Sequence, residues 1–111
     1  MRKRQLQGHD LKYEFEERFV WLMAEYRRQW RISVKDMAKA CLVSSNTYSS
    51  WESRKSLVPL WAVDAWCIAA GFSYAEIAKA CNLGEYDIFL SLPRKSGKVW
   101  QIMTRHKGYG L

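Results

Sequence analysis

Residues 33–41, "SVKDMAKAC", and residues 73–81, "SYAEIAKAC", lie forty positions apart and share Ser, Ala, Lys, Ala and Cys at five matching places. Each begins with a residue whose hydroxyl can cap a helix, and apolar residues then recur at helical rather than alternating spacing. The pattern predicts two short serine-capped helices that turn Ala and Cys towards a shared core. In the first, Asp36 falls at the third helical position, where its charge suits the positive end of the helix dipole.

The rest of the chain reads the same way. Between Leu11 and Trp30, apolar residues at Phe15, Phe19, Leu22, Met23, Tyr26 and Trp30 predict a long amphipathic first helix. Leu42 and Val43 suggest a turn, and Ser44 can cap a third helix through Trp51 and Glu52. There Tyr48 and Trp51 form the only apolar face, while Ser45, Asn46, Thr47, Ser49 and Ser50 are small and polar. Such residues are mediocre helix formers, so this helix depends on its two aromatic anchors for stability. Pro59 can open a fourth helix, Leu60 to Ala70, stopped by Gly71; it is apolar almost all round and is expected to be the central buried helix. A fifth helix follows the Ser73 cap to about Cys81, and a further turn or two precedes Pro93. Trp21, Trp30, Trp51, Trp61 and Trp66 sit at helix-core spacings and are expected to be core residues. The final segment, "RKSGKVWQIMTRHKGYGL", fits neither clean alternation nor a long helical face. A strand pairing with a partner chain, a short helix and a disordered tail are its three readings, with a short ordered element between basic ends preferred.

The expected architecture is all-α. It comprises a basic N-terminal arm (1–10), one domain of five helices (11–92), and a basic C-terminal tail (93–111) that can serve in dimerisation. A chain of 111 residues, 49% of them hydrophobic, has room for one core. Eighteen Lys and Arg against eleven Asp and Glu give a net charge of +7, which favours a polyanionic partner, nucleic acid before an anionic membrane. Residues 94–111 contain no acid, whereas residues 73–90 carry Glu76, Glu85 and Asp87 against Lys79 alone, so a phosphate-binding surface is expected away from the second copy of the repeat. Cys41, Cys67 and Cys81 form no C-x-x-C pair and read as buried thiols of a cytoplasmic protein, and no metal site or other cofactor is expected. No signal core or membrane-spanning run is legible. No acid, base and nucleophile set and no Gly-rich phosphate loop points to catalysis, and no small-molecule ligand is expected.

With these residues in place, the chain resembles the phage-repressor and Cro-type helix-turn-helix domains, the XRE-like family, over roughly residues 17–80. The resemblance is carried by Ser33, Met37-Ala38, Val43-Ser44, the polar run 45–50, Trp51-Glu52, the basic pair Arg54-Lys55, Pro59 and Gly71. It implies a five-helix lambda-repressor-like fold. Ala38 must be small where the second and third helices cross, and Met37, Val43, Tyr48 and Trp51 form the wedge that fixes the crossing. The third helix is then free to lie in a major groove.

The resemblance assigns base contacts to Ser45, Asn46, Ser49 and Ser50, with Asn46 foremost because an amide can bond adenine bidentately. Phosphate contacts fall to Ser33, Lys35, Ser44, Arg54 and Lys55. Arg2, Lys3 and Arg4 are candidates for an arm along the phosphates or in the minor groove. Glu52, which closes the third helix, is expected to pair with Arg27 as a structural link. Relatives usually carry glycine where Arg31, Leu42 and Arg54 stand here, and each exchange either strains a left-handed backbone by about 1 kcal/mol or forces a different turn. The glutamine common near the start of the second helix is Val34.

The reading is therefore a transcriptional regulator, most simply a repressor, that binds a palindromic operator in double-stranded DNA as a homodimer. Two rivals stand beside it. One is an antitoxin or phage or plasmid accessory protein that binds a protein partner through an apolar patch near Trp100. The other is an RNA-binding module built on basic tails and aromatics, in which Trp100 stacks on bases.

Overall fold

The structure, a computed structural model, describes the backbone of residues 8–107 except Leu92, and side chains between 14 and 105 except Ile88 and Leu92. These residues form seven helices and no strand: α1 (Gly8–Gln29), α2 (Val34–Ala40), α3 (Ser45–Glu52), α4 (Leu60–Ala70), α5 (Tyr74–Leu83), α6 (Asp87–Ser91) and α7 (Lys98–Lys107). None is long and apolar enough to cross a membrane.

The caps are those the serines predict. Ser33, Ser44 and Ser73 each accept a hydrogen bond from the backbone N–H three residues on, at 3.0 to 3.1 Å. At α5 Glu76 reaches back to the Ser73 N–H and completes a capping box. The two repeat copies share an orientation: Met37, Ala40 and Cys41, like Ile77, Ala80 and Cys81, are buried, and both lysines point outward. They differ in how they end. α2 stops at Ala40 and the chain turns at once into α3, whereas α5 continues to Leu83 before Gly84 ends it.

The core is built from the inner faces of all the longer helices. Phe19 and Tyr26 meet the fully buried Trp66 edge-on, and Tyr26 in turn meets Phe72 edge-on. α2 packs on α3, α4 and α7, and α1 on α3, α5 and α6.

Three positions differ from expectation. α4 is not buried all round: Ala62, Val63, Trp66, Cys67, Ala69 and Ala70 face inward, while Leu60, Trp61 and Ile68 face solvent. Trp21 is likewise exposed, so the tryptophans are not uniformly core residues. The largest difference is α7. Of the three forms the C-terminal segment allowed, a helix forms, and Val99, Trp100 and Met103 belong to the same core as α1 to α5. Residues 98–105 are therefore a packed element rather than a tail. Trp100, read as a dimer anchor or base-stacking residue, instead packs edge-on against Trp30 and donates its indole N–H to the Tyr26 hydroxyl at 3.0 Å. Gly97 permits this docking, since a Cβ there would lie 2.5 Å from the Ala69 carbonyl oxygen at the end of α4.

Candidate nucleic-acid interface

α3 is held from below and bare above. Tyr48 and Trp51 are buried, with their rings 6.0 Å apart, and Ala38 is buried where α2 crosses. Val43, partly buried, donates its N–H to the Ala38 carbonyl at 3.0 Å and so closes the turn between the two helices. The outer face presents Ser45, Asn46, Thr47 and Ser49, all exposed and uncharged. No acid lies in the first turn of α3, and its first two N–H groups, on Ser45 and Asn46, have no intrahelical acceptor. This end can meet an anion.

The turns around α3 are left-handed without glycine. Arg31, Leu42 and Arg54 have φ of 54°, 64° and 65°, and no other described residue except glycine has a positive φ. Of the two alternatives the sequence left open, the strained backbone is the one adopted. Glu52, at the far end of α3, takes a two-pronged contact from Arg27, with Nε to Oε2 at 3.0 Å and Nη2 to Oε1 at 2.9 Å. Arg27 also donates to the Ile32 carbonyl at 3.1 Å, so it ties α1 both to α3 and to the entry of α2. Chiefly through its hydrogen bond to Glu52, the Arg27 guanidinium is held above its ordinary pKa.

The predicted contact residues are not equally free. Ser45, Asn46 and Ser49 are open to solvent, as are Lys35 and Lys55. Ser50 is committed within the protein: its hydroxyl donates to the Thr47 carbonyl at 2.7 Å and lies 2.7 Å from the Ser56 hydroxyl. Arg54 folds back on α1, 3.5 Å from the Glu17 carboxylate and 3.4 Å from its carbonyl. That contact is exposed and weak, so a phosphate can compete for the guanidinium. The Ser44 hydroxyl is occupied by its cap and by donation to Thr47 Oγ1 at 3.0 Å. The Ser33 hydroxyl is occupied by its cap, accepting from the Asp36 N–H at 3.0 Å. Arg2, Lys3 and Arg4 lie outside the described residues.

Two residues escaped the sequence reading. Lys39 is exposed four positions after Lys35, so α2 carries two cations on one face; their i, i+4 spacing is the signal that could have found it. Ser56 donates its N–H to the Ser50 carbonyl at 3.1 Å and folds the basic loop against the end of α3. Nothing in the sequence marks that bond. No protein-family model matches the chain, and no curated protein or solved structure is significantly similar to it.

Proposed function

We propose that the protein is a sequence-specific DNA-binding regulator of the XRE-like helix-turn-helix kind, most simply a repressor, that acts as a homodimer on a palindromic operator. One observation carries the reading: α3 is anchored on its inner side by two buried aromatics while its outer side is an uncharged run of Ser45, Asn46, Thr47 and Ser49. A face of small donors and acceptors with no acid to repel phosphate suits base edges in a major groove, where the Asn46 amide can bond adenine bidentately. Lys35, Lys39 and Lys55 supply phosphate contacts from the flanking α2 and loop. The left-handed backbone at Arg31, Leu42 and Arg54 further supports the reading, because these are the places where the family pattern has glycine.

The test separates bases from phosphates. Asn46→Ala combined with Ser49→Ala should abolish discrimination between operator and random duplex at fixed salt. Lys55→Ala should weaken both duplexes alike and reduce the salt dependence by about one unit. Unchanged discrimination in the Asn46 and Ser49 double variant would show that α3 does not read the bases.

A further inference from the structure

One face of the molecule remains apolar and uncovered. Leu57, Leu60, Trp61, Ile68 and Tyr74 are 60, 72, 59, 51 and 41% exposed. Positions 60, 61, 64 and 68 follow a stripe along α4, with Leu57 in the loop before it and Asp64 the single charge among them. Leu60, Trp61, Asp64 and Tyr74 line one groove. Leu60 and Tyr74 also border a neighbouring pocket of about 200 Å³ between α1 and α4, floored by Phe15, Phe19 and Val63. Trp61 packs edge-on against Trp51 of α3, with ring centroids 5.8 Å apart, so the stripe is rigidly coupled to the proposed reading helix.

We infer that this face is the homodimer interface, formed by antiparallel pairing of the stripe with the same stripe of a second copy about a two-fold axis near Leu60 and Trp61, so that each α4 lies against the loop that precedes α4 in the other copy. Area points to a second copy, and charge to its orientation. The five side chains expose on the order of 600 Å², at the upper limit for a patch left on a monomer. Covering it on two copies buries on the order of 1,200 Å², the lower end of the range of stable specific interfaces. The stripe carries one charge, Asp64, beyond its centre. Antiparallel pairing holds the two Asp64 carboxylates apart, whereas parallel pairing would set like charges side by side.

The inference gives a site to the homodimer of the proposed function, but its measurement contains no DNA. Its failure would leave the α3 assignment standing, and failure of the α3 test would leave the interface standing. Sedimentation equilibrium of the full chain should give twice the monomer mass between about 10 and 100 µM. Leu60→Glu and Ile68→Glu, both at exposed positions, should each raise the dimer dissociation constant at least about tenfold with the helical circular dichroism unchanged. The native cysteines are buried, so an introduced surface cysteine is the reactive one. Under mild oxidation Leu60→Cys, near the axis, should cross-link to its own copy, and Ile68→Cys, far from it, should not. A monomer throughout that range, a dimer unaffected by either glutamate, or equal cross-linking at the two positions would overturn the inference.

Discussion

Arg27 and Glu52 are joined across α1 and α3 by two hydrogen bonds of 2.9 and 3.0 Å, with both side chains mostly withdrawn from solvent. The pair fixes the far end of α3 and, through the bond from Arg27 to the Ile32 carbonyl, the entry to α2. Removing one partner strands the other in a partly desolvated place. Arg27→Ala should therefore destabilise the protein by about 2 to 3 kcal/mol, and Glu52→Gln, which keeps the shape and half the bonding, by about 1. Urea unfolding of both variants checks this; losses below the error of the midpoint would remove the pair from the account.

The left-handed turns predict the opposite sign of effect. Leu42 and Arg31 are exposed and hold φ of 64° and 54°. Glycine accepts that backbone without a Cβ clash and gives up little burial at either place, so Leu42→Gly and Arg31→Gly should each stabilise by roughly 0.5 to 1 kcal/mol after its greater unfolded-state entropy is counted. Leu42→Val should destabilise, since a β-branched residue tolerates positive φ least. Thermal midpoints that fall for both glycine variants would contradict the assignment.

The C-terminal helix should prove indispensable to stability. The Tyr26 hydroxyl accepts from Trp100 Nε1 at 3.0 Å and donates to the Ala70 carbonyl at 3.4 Å, so it links α1, α4 and α7. Tyr26→Phe should cost about 1 to 2 kcal/mol by leaving the buried indole N–H without an acceptor. Gly97→Ala should cost about 1 to 3 kcal/mol by forcing the start of α7 off Ala69 and Ala70. Wild-type unfolding midpoints in both variants would mean that α7 does not belong to the cooperative unit.

Burial pushes the Cys41 and Cys67 thiols up to about 12 and the Cys81 thiol up to about 11. An unfolded cysteine ionises near pH 8.5, so above that pH the unfolded chain releases protons that the native chain keeps. Stability from these groups is complete below about pH 8.5 and is lost as pH rises, by about 1 to 2 kcal/mol per thiol at pH 10. Tyr26, raised to about 12 by burial, adds a loss in the same direction at higher pH. Unfolding free energies at pH 7.5 and 10 test this, and equal values would contradict it.

Much of α2 and α3 was legible because the signals there are local. A serine hydroxyl meets an N–H three residues away, and Tyr48 and Trp51 lie on one face by spacing alone. That Arg31, Leu42 and Arg54 stand where the resemblance would have glycine could be read in the sequence, but whether the backbone would strain or re-route depends on packing that keeps α2 and α3 crossed. α7 was illegible for the same reason on a longer scale. Val99, Trp100 and Met103 make a short face whose partner Tyr26 stands 74 residues away. The uncovered stripe of α4 was hidden by its own composition, since a helix apolar on every side does not tell which side the core takes. At the candidate site, sequence marked Ser50 and Arg54 as contacts but could not see the Thr47 carbonyl, Ser56 or Glu17 that engage them.

The central claim is that α3 reads duplex DNA, and selection of bound sites from random double-stranded DNA tests it most directly. The expected result is an enriched inverted repeat with half-site centres about one helical turn apart, lost in the Asn46→Ala and Ser49→Ala double variant. An unenriched pool, or single-stranded RNA competing as well as duplex at the same salt, would contradict it.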